Sequence, residues 1–412
     1  MPEGVLIIGG GPAGMMAGIW ALRAGAPVTL LEKNEKLGKK LYITGKGRCN
    51  VSNAAEGEEF LRHVPRNPRF LYAALKRLSP SALRDLLSEL GCETVVERGQ
   101  RVFPVSQKAS DVIRTLTRAL EGADIRLHTQ VQSLCPIEGG WAVTLQDGRV
   151  LKAGAVVIAT GGLSYPMTGS TGDGYGWAKE LGHGIQPQHA ALVPLETKEP
   201  WVPMLQGLTL KNVRLTATLA GKQVFDEQGE MLFAHFGITG PLVLSLSSAL
   251  AGHDLKAVKA GIDMKPALSE QQLQDRLQRM LLAGGRKQVK SLLSELLPGK
   301  MVEAFPQICP MDWSKLCSQV TAAERQRIVS ALKYIPLTIT ALRPIREAVI
   351  TRGGVDTKSV NPSTMMSRLC PGLFFAGEVL DVDALTGGYN LQIAFATGTV
   401  AGEQAVSYLK KE

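Results

Sequence analysis

The feature that most constrains this chain is a glycine-spaced turn, Gly9-x-Gly11-x-x-Gly14, set between an apolar run and a helical stretch. The run is Val5-Leu6-Ile7-Ile8, and the helical stretch continues to Ala24 and is closed by Gly25. A second apolar run, Val28-Thr29-Leu30-Leu31, ends in Glu32, so residues 5–32 read as a complete βαβ unit. The first glycine permits the tight turn, the second lets backbone N–H groups approach a pyrophosphate, and the third lets helix and strand pack closely. The helix N-terminus adds a partial positive charge. Glu32, 21 residues after Gly11, would accept hydrogen bonds from ribose hydroxyls and repel a 2′-phosphate. The unit therefore points to FAD or NAD rather than NADP.

The rest of the chain is compatible with a large folded protein. It has 412 residues, 45% hydrophobic and 20% charged, which suits two or three domains at roughly 150 residues each. That apolar content excludes disorder, and the aperiodic glycines and prolines exclude a collagen-like or low-complexity chain. No run reaches the roughly 18 uncharged apolar residues of a bilayer span. The start, Met1-Pro2-Glu3-Gly4, has neither a basic region nor a small-residue cleavage site and does not read as a signal peptide. Six scattered cysteines (Cys49, Cys92, Cys135, Cys309, Cys317, Cys370) lack C-x-x-C spacing and nearby histidine pairs. They fit free thiols in a reducing cytoplasm, with no disulfide framework and no metal site.

Positive charge is unevenly spread. Residues 61–118 carry 11 basic and 5 acidic side chains, residues 265–333 carry 11 and 6, and the intervening 119–264 carry 10 and 13. Two basic blocks flanking an acidic stretch suit a polyanion-binding protein, although a net charge of +9 also suits an ordinary basic one. Arg62, Arg66, Arg69, Lys76 and Arg77 are the candidate phosphate ligands; a solvated helix face is the alternative.

A coarse pass gives a helical stretch over 58–91 ending at Gly91, strand over 94–105 with a turn at Gly99, and a helix over about 110–120. Asp147-Gly148 reads as a hairpin turn, and residues 155–159 read as a buried parallel strand. From about residue 190 the texture changes. Val213, Leu215, Ala217 and Leu219 alternate with polar residues, and a turn is expected at Asp226-Glu227-Gln228-Gly229. A helix starting at Ser269 carries Leu273, Leu277, Met280 and Leu281 on one face. A second helix, over about 287–297, stops at Pro298-Gly299, and Thr321 with Glu324 forms a capping box for a third. The expected architecture is α/β, a nucleotide-binding domain split by a β-plus-helical insertion: 1–190, then 191–264 (antiparallel β) and 265–334 (helical), then 335–412.

Two further strand-turn elements sharpen the cofactor. Val156-Val157-Ile158-Ala159-Thr160-Gly161-Gly162 runs from a buried strand into a glycine turn. Gly372-Leu373-Phe374-Phe375-Ala376-Gly377-Glu378 does the same near the C-terminus, and Gly387-Gly388-Tyr389-Asn390-Leu391-Gln392 opens the last helix. An acidic residue after a strand can hold a ribityl hydroxyl, and a glycine-rich helix start aims N–H groups at the electron-rich edge of a reduced flavin. Together these point to FAD in a two-part domain, with Gly9, Gly11, Gly14, Thr160, Gly161 and Tyr389 among its contacts. No second G-x-G-x-x-G exists for a dedicated NAD(P)H domain, so NADH or NADPH would act as a transient reductant.

Three long motifs carry a specific resemblance: Gly38-Lys39-Lys40-Leu41-Tyr42-Ile43-Thr44-Gly45-Lys46-Gly47-Arg48-Cys49-Asn50-Val51-Ser52-Asn53, Phe233-Ala234-His235-Phe236-Gly237-Ile238-Thr239-Gly240-Pro241, and residues 377–392. With them the whole chain resembles the YhiN/BaiN-type (HI0933-like) flavoproteins. That resemblance implies a two-dinucleotide-binding-type, Rossmann-like FAD domain with β-barrel-like and helical insertions. It also implies FAD contacts at Pro12, Ala13, Glu32, Lys33, Lys40, Arg48, Cys49, Gly377, Glu378, Asn390 and Leu391, with Val131 as a backbone contact to adenine. Members of the family saturate activated C=C bonds in two settings, steroid-type conjugated enones and a uridine of large-subunit (23S) ribosomal RNA. The basic blocks favour the RNA branch.

Reducing the uracil C5=C6 bond requires hydride to C6 and a proton to C5 from a general acid. Cys49 is the first candidate, on the expectation that Lys46 and Arg48 lower its pKa; the alternative is a cysteine that only packs beside the cofactor. His235 titrates in a suitable range or merely braces the 237–241 turn. Tyr389 stacks on or donates to substrate, or packs beside the flavin. The expected function is thus a cytoplasmic FAD-dependent reductase of ribosomal RNA uridine. The alternatives are a reductase of small enones and a flavin-containing RNA-binding factor without turnover.

Overall fold

The computed structural model describes residues 4–411. Met1, Pro2 and Glu3, on which the reading of the start as lacking a signal peptide partly rests, lie outside the described residues. Two compact units result: Met1–Ala190 with Ile345–Glu412, and Ala191–Pro344.

The first unit is organised by five short parallel strands in the order Leu373–Phe375, Ala155–Ile158, Val5–Ile8, Val28–Leu31, Asp124–Arg126. The three central strands are nearly continuous apolar runs because both faces of the sheet are covered. Val5–Ile8 lies at the centre, so its carboxyl end delivers the glycine turn to the crevice where open α/β sheets bind ligands. The chain crosses from Asp124–Arg126 to Ala155–Ile158 through an antiparallel meander, Val131–Ile137, Gly140–Leu145 and Val150–Ala153.

The last helix, Tyr389–Leu409, lies on the first, Pro12–Arg23, along a seam of small residues. A Cβ on Gly398 would lie 2.2 Å from the Ala13 carbonyl oxygen, and one on Gly402 would lie 2.2 Å from that of Ala17. The backbones touch there, which only glycine permits.

Three sequence expectations are corrected. Residues 58–91 are not one helical stretch but Gly57–Leu61, Tyr72–Arg77 and Pro80–Glu89, with a 3-10 turn at Pro68–Leu71. Pro65, Pro68 and Pro80 interrupt the pattern, and Ser79 caps the last helix by accepting from Ala82 N. The turn placed at 226–229 lies inside the strand Lys222–Ala234; the reversal is Ala220-Gly221, both left-handed at φ 48° and 82°. The first unit resumes at Ile345 rather than at 335, because Ile335–Leu337 and Ile339–Leu342 belong to the second unit's sheet.

That sheet has seven strands and begins and ends with those two, separated in the chain by Thr338 alone, so it curls back on itself. Leu215, Phe233 and Ile262 from its strands share one core with Leu273, Leu293, Phe305 and Ile328 from the helices. Capping boxes at Ser269/Gln272 and Thr321/Glu324 start two of those helices. Among the described residues no helix is long and apolar enough to cross a membrane.

The seam makes a clear prediction. Gly402→Val should lower the stability to urea by roughly 3 kcal/mol or more, because the clash is with backbone. Gly176→Ala, on an exposed helical position where a Cβ meets open space, should be neutral or stabilising by up to about 1 kcal/mol. Equal effects would show that the seam is not close-packed.

Candidate functional site

The fingerprint turn is built by contacts that a Cβ would break at two of its glycines and by open space at the third. Gly9 has φ 108°, with its Cβ position 2.5 Å from the Ala159 oxygen, and a Cβ on Gly14 would lie 1.8 Å from the Gly9 oxygen. Gly11 has nothing within 4 Å. That opening, at the start of a helix with Pro12 in its first position and no acidic residue in its first turn, is shaped for a pyrophosphate. Glu32 is buried at the neighbouring strand end and accepts from Gly10 N at 2.8 Å, Asn34 N at 2.8 Å and Asn34 Nδ2 at 2.7 Å. Thr129 N donates to the Glu32 carbonyl at 2.9 Å, which brings the start of the Val131 strand beside this corner.

The C-terminal elements arrive at the same place. Gly377, with φ 77°, packs against Ala13, where an added Cβ would lie 2.8 Å from that of Ala13. Its N–H donates to Thr397 Oγ1. Lys40 Nζ lies 2.6 Å from Glu378 Oε2 and 2.6 Å from Ser164 Oγ. Glu378 Oε1 accepts from Ser164 Oγ at 2.9 Å and Thr351 N at 2.7 Å. One network thus ties four separate segments together. Ser164 and Thr351 escaped the sequence reading; the glycine turn just before Ser164 was the available signal, and Thr351 offered none. Lys33 is held by Thr171 and by Asp173 at 2.7 Å. Asn390 clamps Ala384 through both ends of its amide, at 2.9 and 2.7 Å, and Leu391 follows it in the first turn of the last helix.

The 44–50 loop is unusual in its backbone. Gly45, Lys46, Gly47 and Cys49 all have φ between 57° and 85°. Lys46 and Cys49 are not glycine, and such conformations, costing about 1–3 kcal/mol each, cluster at functional loops. Cys49 is fully buried, and burial pushes its thiol far above the ordinary range, with Cys92 adding to the effect. This corrects the expectation that Lys46 and Arg48 lower it. The Arg48 guanidinium turns away to Glu97 and Gln107 and lies 4.2 Å over the Phe103 ring. Tyr389 stacks on His63 at 4.6 Å and meets Phe60 edge-on at 5.0 Å; burial pushes its hydroxyl up to about 12.

The residues present fit an FAD. The Gly11 opening and Glu32 suit the dinucleotide half, and two buried oxygens, Thr160 Oγ1 and Asn50 Oδ1, have no protein hydrogen-bond partner near the other glycine turns. Gly161, with φ 74°, follows Thr160 in one turn, while Asn50 Oδ1 is 2.9 Å from the Cβ position of Gly388.

Of the proposed phosphate ligands, Arg66 is held by Asp381, and Arg77 pairs bidentately with Glu403 while lying 4.3 Å over Trp20. Those two are corrected: their charge is neutralised internally. Arg62, Arg69 and Lys76 are exposed, and among the described residues they form no ion pair. His235 belongs to the second unit, exposed and edge-on to Phe236 at 5.0 Å, with Arg343 over the other ring at 4.7 Å.

Asp383 was also missed, although Glu378, Asp381 and Asp383 stand out in an apolar stretch. It is 1% exposed, neither carboxylate oxygen has a hydrogen-bond partner, and burial pushes its pKa up to about 6 against the pull of Arg352 and Arg66. A carboxyl raised in the fold costs nothing below its unfolded value of 3.8 and destabilises progressively as pH rises through about 6. Asp383→Asn should therefore stabilise the protein at pH 8 by on the order of 2 kcal/mol and lose that advantage below about pH 4. Urea unfolding at both pH values checks it; a pH-independent difference would refute the assignment.

Comparison with known proteins agrees with this geometry. The family described as HI0933-like protein Rossmann domain matches residues 3–404. A 3-dehydro-bile acid delta(4,6)-reductase of Clostridium scindens is 32% identical, covering 97% of this chain and 98% of that protein. A ribosomal RNA dihydrouridine synthase of Escherichia coli is 30% identical, covering 98% of both. Among solved structures, an E. coli quinol fumarate reductase chain shares the fold at TM-score 0.51 and 16% identity, over all of this chain and 71% of the other. A glycine cradle joined from both ends of the sequence, matched along almost its whole length, identifies the chain as a member of the HI0933-like family and an FAD-dependent oxidoreductase.

Proposed function

We propose that this enzyme reduces the C5=C6 bond of a uridine in large-subunit (23S) ribosomal RNA to dihydrouridine, in the cytoplasm, with electrons from NADH or NADPH. The observation that carries the reading is the set of exposed cations without internal partners, beginning with Arg62, Arg69 and Lys76, on a chain of net charge +9. A polyanion uses such cations; a small enone does not. The 30% identity to a ribosomal RNA dihydrouridine synthase supports the same reading. A second reading, reduction of small conjugated enones, draws support from the 32% identity to a bile acid reductase.

FAD, when bound and reduced, would supply the hydride for C6. In this proposal the chain does the rest. Gly9, Gly11, Pro12, Ala13 and Gly14 hold the pyrophosphate, Glu32 takes the adenosine ribose, and Val131 meets adenine. Lys40 and Glu378, already paired, would hold the middle of the cofactor together with Thr160 and Gly161, and Lys33 would contribute beside them. Gly377, Tyr389, Asn390 and Leu391 bound its reactive end. Cys49 packs and shapes the strained loop, with Arg48 bracing it from outside. A thiol held that high gives up its proton reluctantly, and so does the Tyr389 hydroxyl, which burial also raises; of the three candidates, His235 is the one proposed to protonate C5.

Two outcomes follow. Mass spectrometry of large-subunit RNA from cells lacking the gene should show one uridine that has lost its two added hydrogens, restored on complementation; unchanged RNA would transfer the assignment to small enones. Cys49→Ala should keep FAD bound and turn over within about threefold of the parent, since no proton transfer is removed. A loss of a hundredfold or more with FAD in place would restore Cys49 as the acid.

A further inference from the structure

We propose that the outer face of residues 276–290 in the second unit is a docking surface for the phosphate backbone of the substrate RNA, with Arg276, Arg279, Arg286, Lys287 and Lys290 as its ligands. The inference rests on the RNA reading above and adds to it a place of contact, apart from the cations of the first unit.

The helix Glu270–Gly284 buries Leu273, Leu277, Leu281 and Gly284, which leaves Arg276 and Arg279 outward, one turn apart. Arg286, Lys287 and Lys290 continue the charge through the loop into the helix Val289–Leu296, and all three are exposed. Among the described residues none of the five is in an ion pair. The contrast is local: in the same helical region Lys315 is paired with Glu324 and Lys333 with Asp263. No carboxylate lies within 276–290, and of Glu270, Asp275 and Glu295 on the two helices around it, Glu270 takes a hydrogen bond from Gln326 and Asp275 one from Gln271 instead of a cation. Lys265, nearby, is pushed below its ordinary value by burial and by the Arg276 charge, as expected where positive potential is not cancelled.

The backbone of the loop that carries Arg286 and Lys287 is also held in place. Lys287 N donates to the Gly284 carbonyl at 2.8 Å, and Cys317 N donates to the Lys287 carbonyl at 2.9 Å. Ser318 N donates to the Gly285 carbonyl and Val289 N to that of Lys315. A Cβ on Gly284 would lie 2.8 Å from Cys317 Sγ, so the loop is packed down as well as bonded. A braced loop loses less entropy on binding than a flexible tail. A protein partner would want an apolar centre, and the one large apolar side chain exposed here is Leu282, at 76%. Polyanion chemistry is what the surface offers.

The test uses the full-length, FAD-loaded protein with Arg286→Gln, Lys287→Gln and Lys290→Gln combined. A charge-matched control combines Lys211→Gln, Lys222→Gln and Lys259→Gln on the exposed strand side of the same unit. Parent-like urea unfolding curves in both, with flavin absorbance unchanged, establish folding. The loop variant should bind deproteinised large-subunit RNA roughly 30-fold more weakly near 0.15 M salt, with a log–log salt slope shallower by about 2, while the control stays near the parent. It should also fail to restore dihydrouridine in cells lacking the gene. Parent-like binding and full restoration by the loop variant would overturn the surface and leave the RNA reading standing, and so would equal losses in both variants. A parent that neither binds RNA nor affects dihydrouridine would overturn both. Salt-dependent binding to anionic lipid vesicles but not to RNA would overturn both as well.

Discussion

Close contact between two helix backbones is the constraint from which the first unit follows. Gly398 and Gly402 rest on the carbonyls of Ala13 and Ala17, and through that seam the end of the chain is laid on its beginning. The consequence reaches the site directly, because Gly377 packs on Ala13, beside the fingerprint turn, while the start of the last helix comes to Ser52 and Asn50. The separation of the cofactor corners is thereby set by backbone contact and not by adjustable side chains. The polar residues inside the last helix obey the same constraint. Gln392 accepts from Ser52 and donates to the Leu78 carbonyl, and Thr397 serves Gly377 while bonding Ile393. Each of these buried polar groups has a partner, within the last helix or on a segment packed beside it.

On that frame the electrostatics are largely arranged before any ligand arrives. Lys40 and Glu378, 338 positions apart, share Ser164, and Thr351 completes the set. A network of this kind fixes geometry more than it adds stability, since each member already has its partners. Asp383 is the exception, a buried carboxyl left without a hydrogen bond. Cys49 is the opposite of an activated thiol, sitting in a strained backbone that burial keeps neutral.

The sequence made the parallel sheet and the fingerprint legible because their signals are local: four apolar residues, a glycine turn, an acid at the next strand end. The capping box at Thr321 was legible for the same reason. What local pattern could not reveal was anything decided by partners far along the chain. Arg66 and Arg77 read as free cations until Asp381 and Glu403, more than 300 residues away, neutralise them. Cys49 read as activated because Lys46 and Arg48 are adjacent in sequence, yet the Arg48 side chain turns to Glu97. The misplaced 226–229 turn is the same error in miniature. Asp and Gly there suggested a reversal, but Thr216 and Arg214 pair across from Asp226 and Gln228, and the left-handed pair at Ala220-Gly221 makes the turn.

The same lesson bears on substrate. A steroid-sized enone and a uridine within ribosomal RNA ask the same of a flavin, a hydride delivered to an activated double bond, so the FAD cradle alone does not separate them. The difference lies in what surrounds the reacting ring. A polyanion is held by charges that reach it uncancelled, and a cation already bonded to a carboxylate contributes almost nothing beyond a Debye length of about 8–10 Å. Net charge is therefore the wrong measure, since it counts Arg66, Arg77, Lys315 and Lys333 at full weight. The relevant set is the cations the fold leaves alone, and each unit presents its own: Arg62, Arg69 and Lys76 in one, Arg276 to Lys290 in the other. On the proposed reading, a fold that neutralises its charges where they serve architecture, and leaves others bare on its surface, would suit a partner with many phosphates.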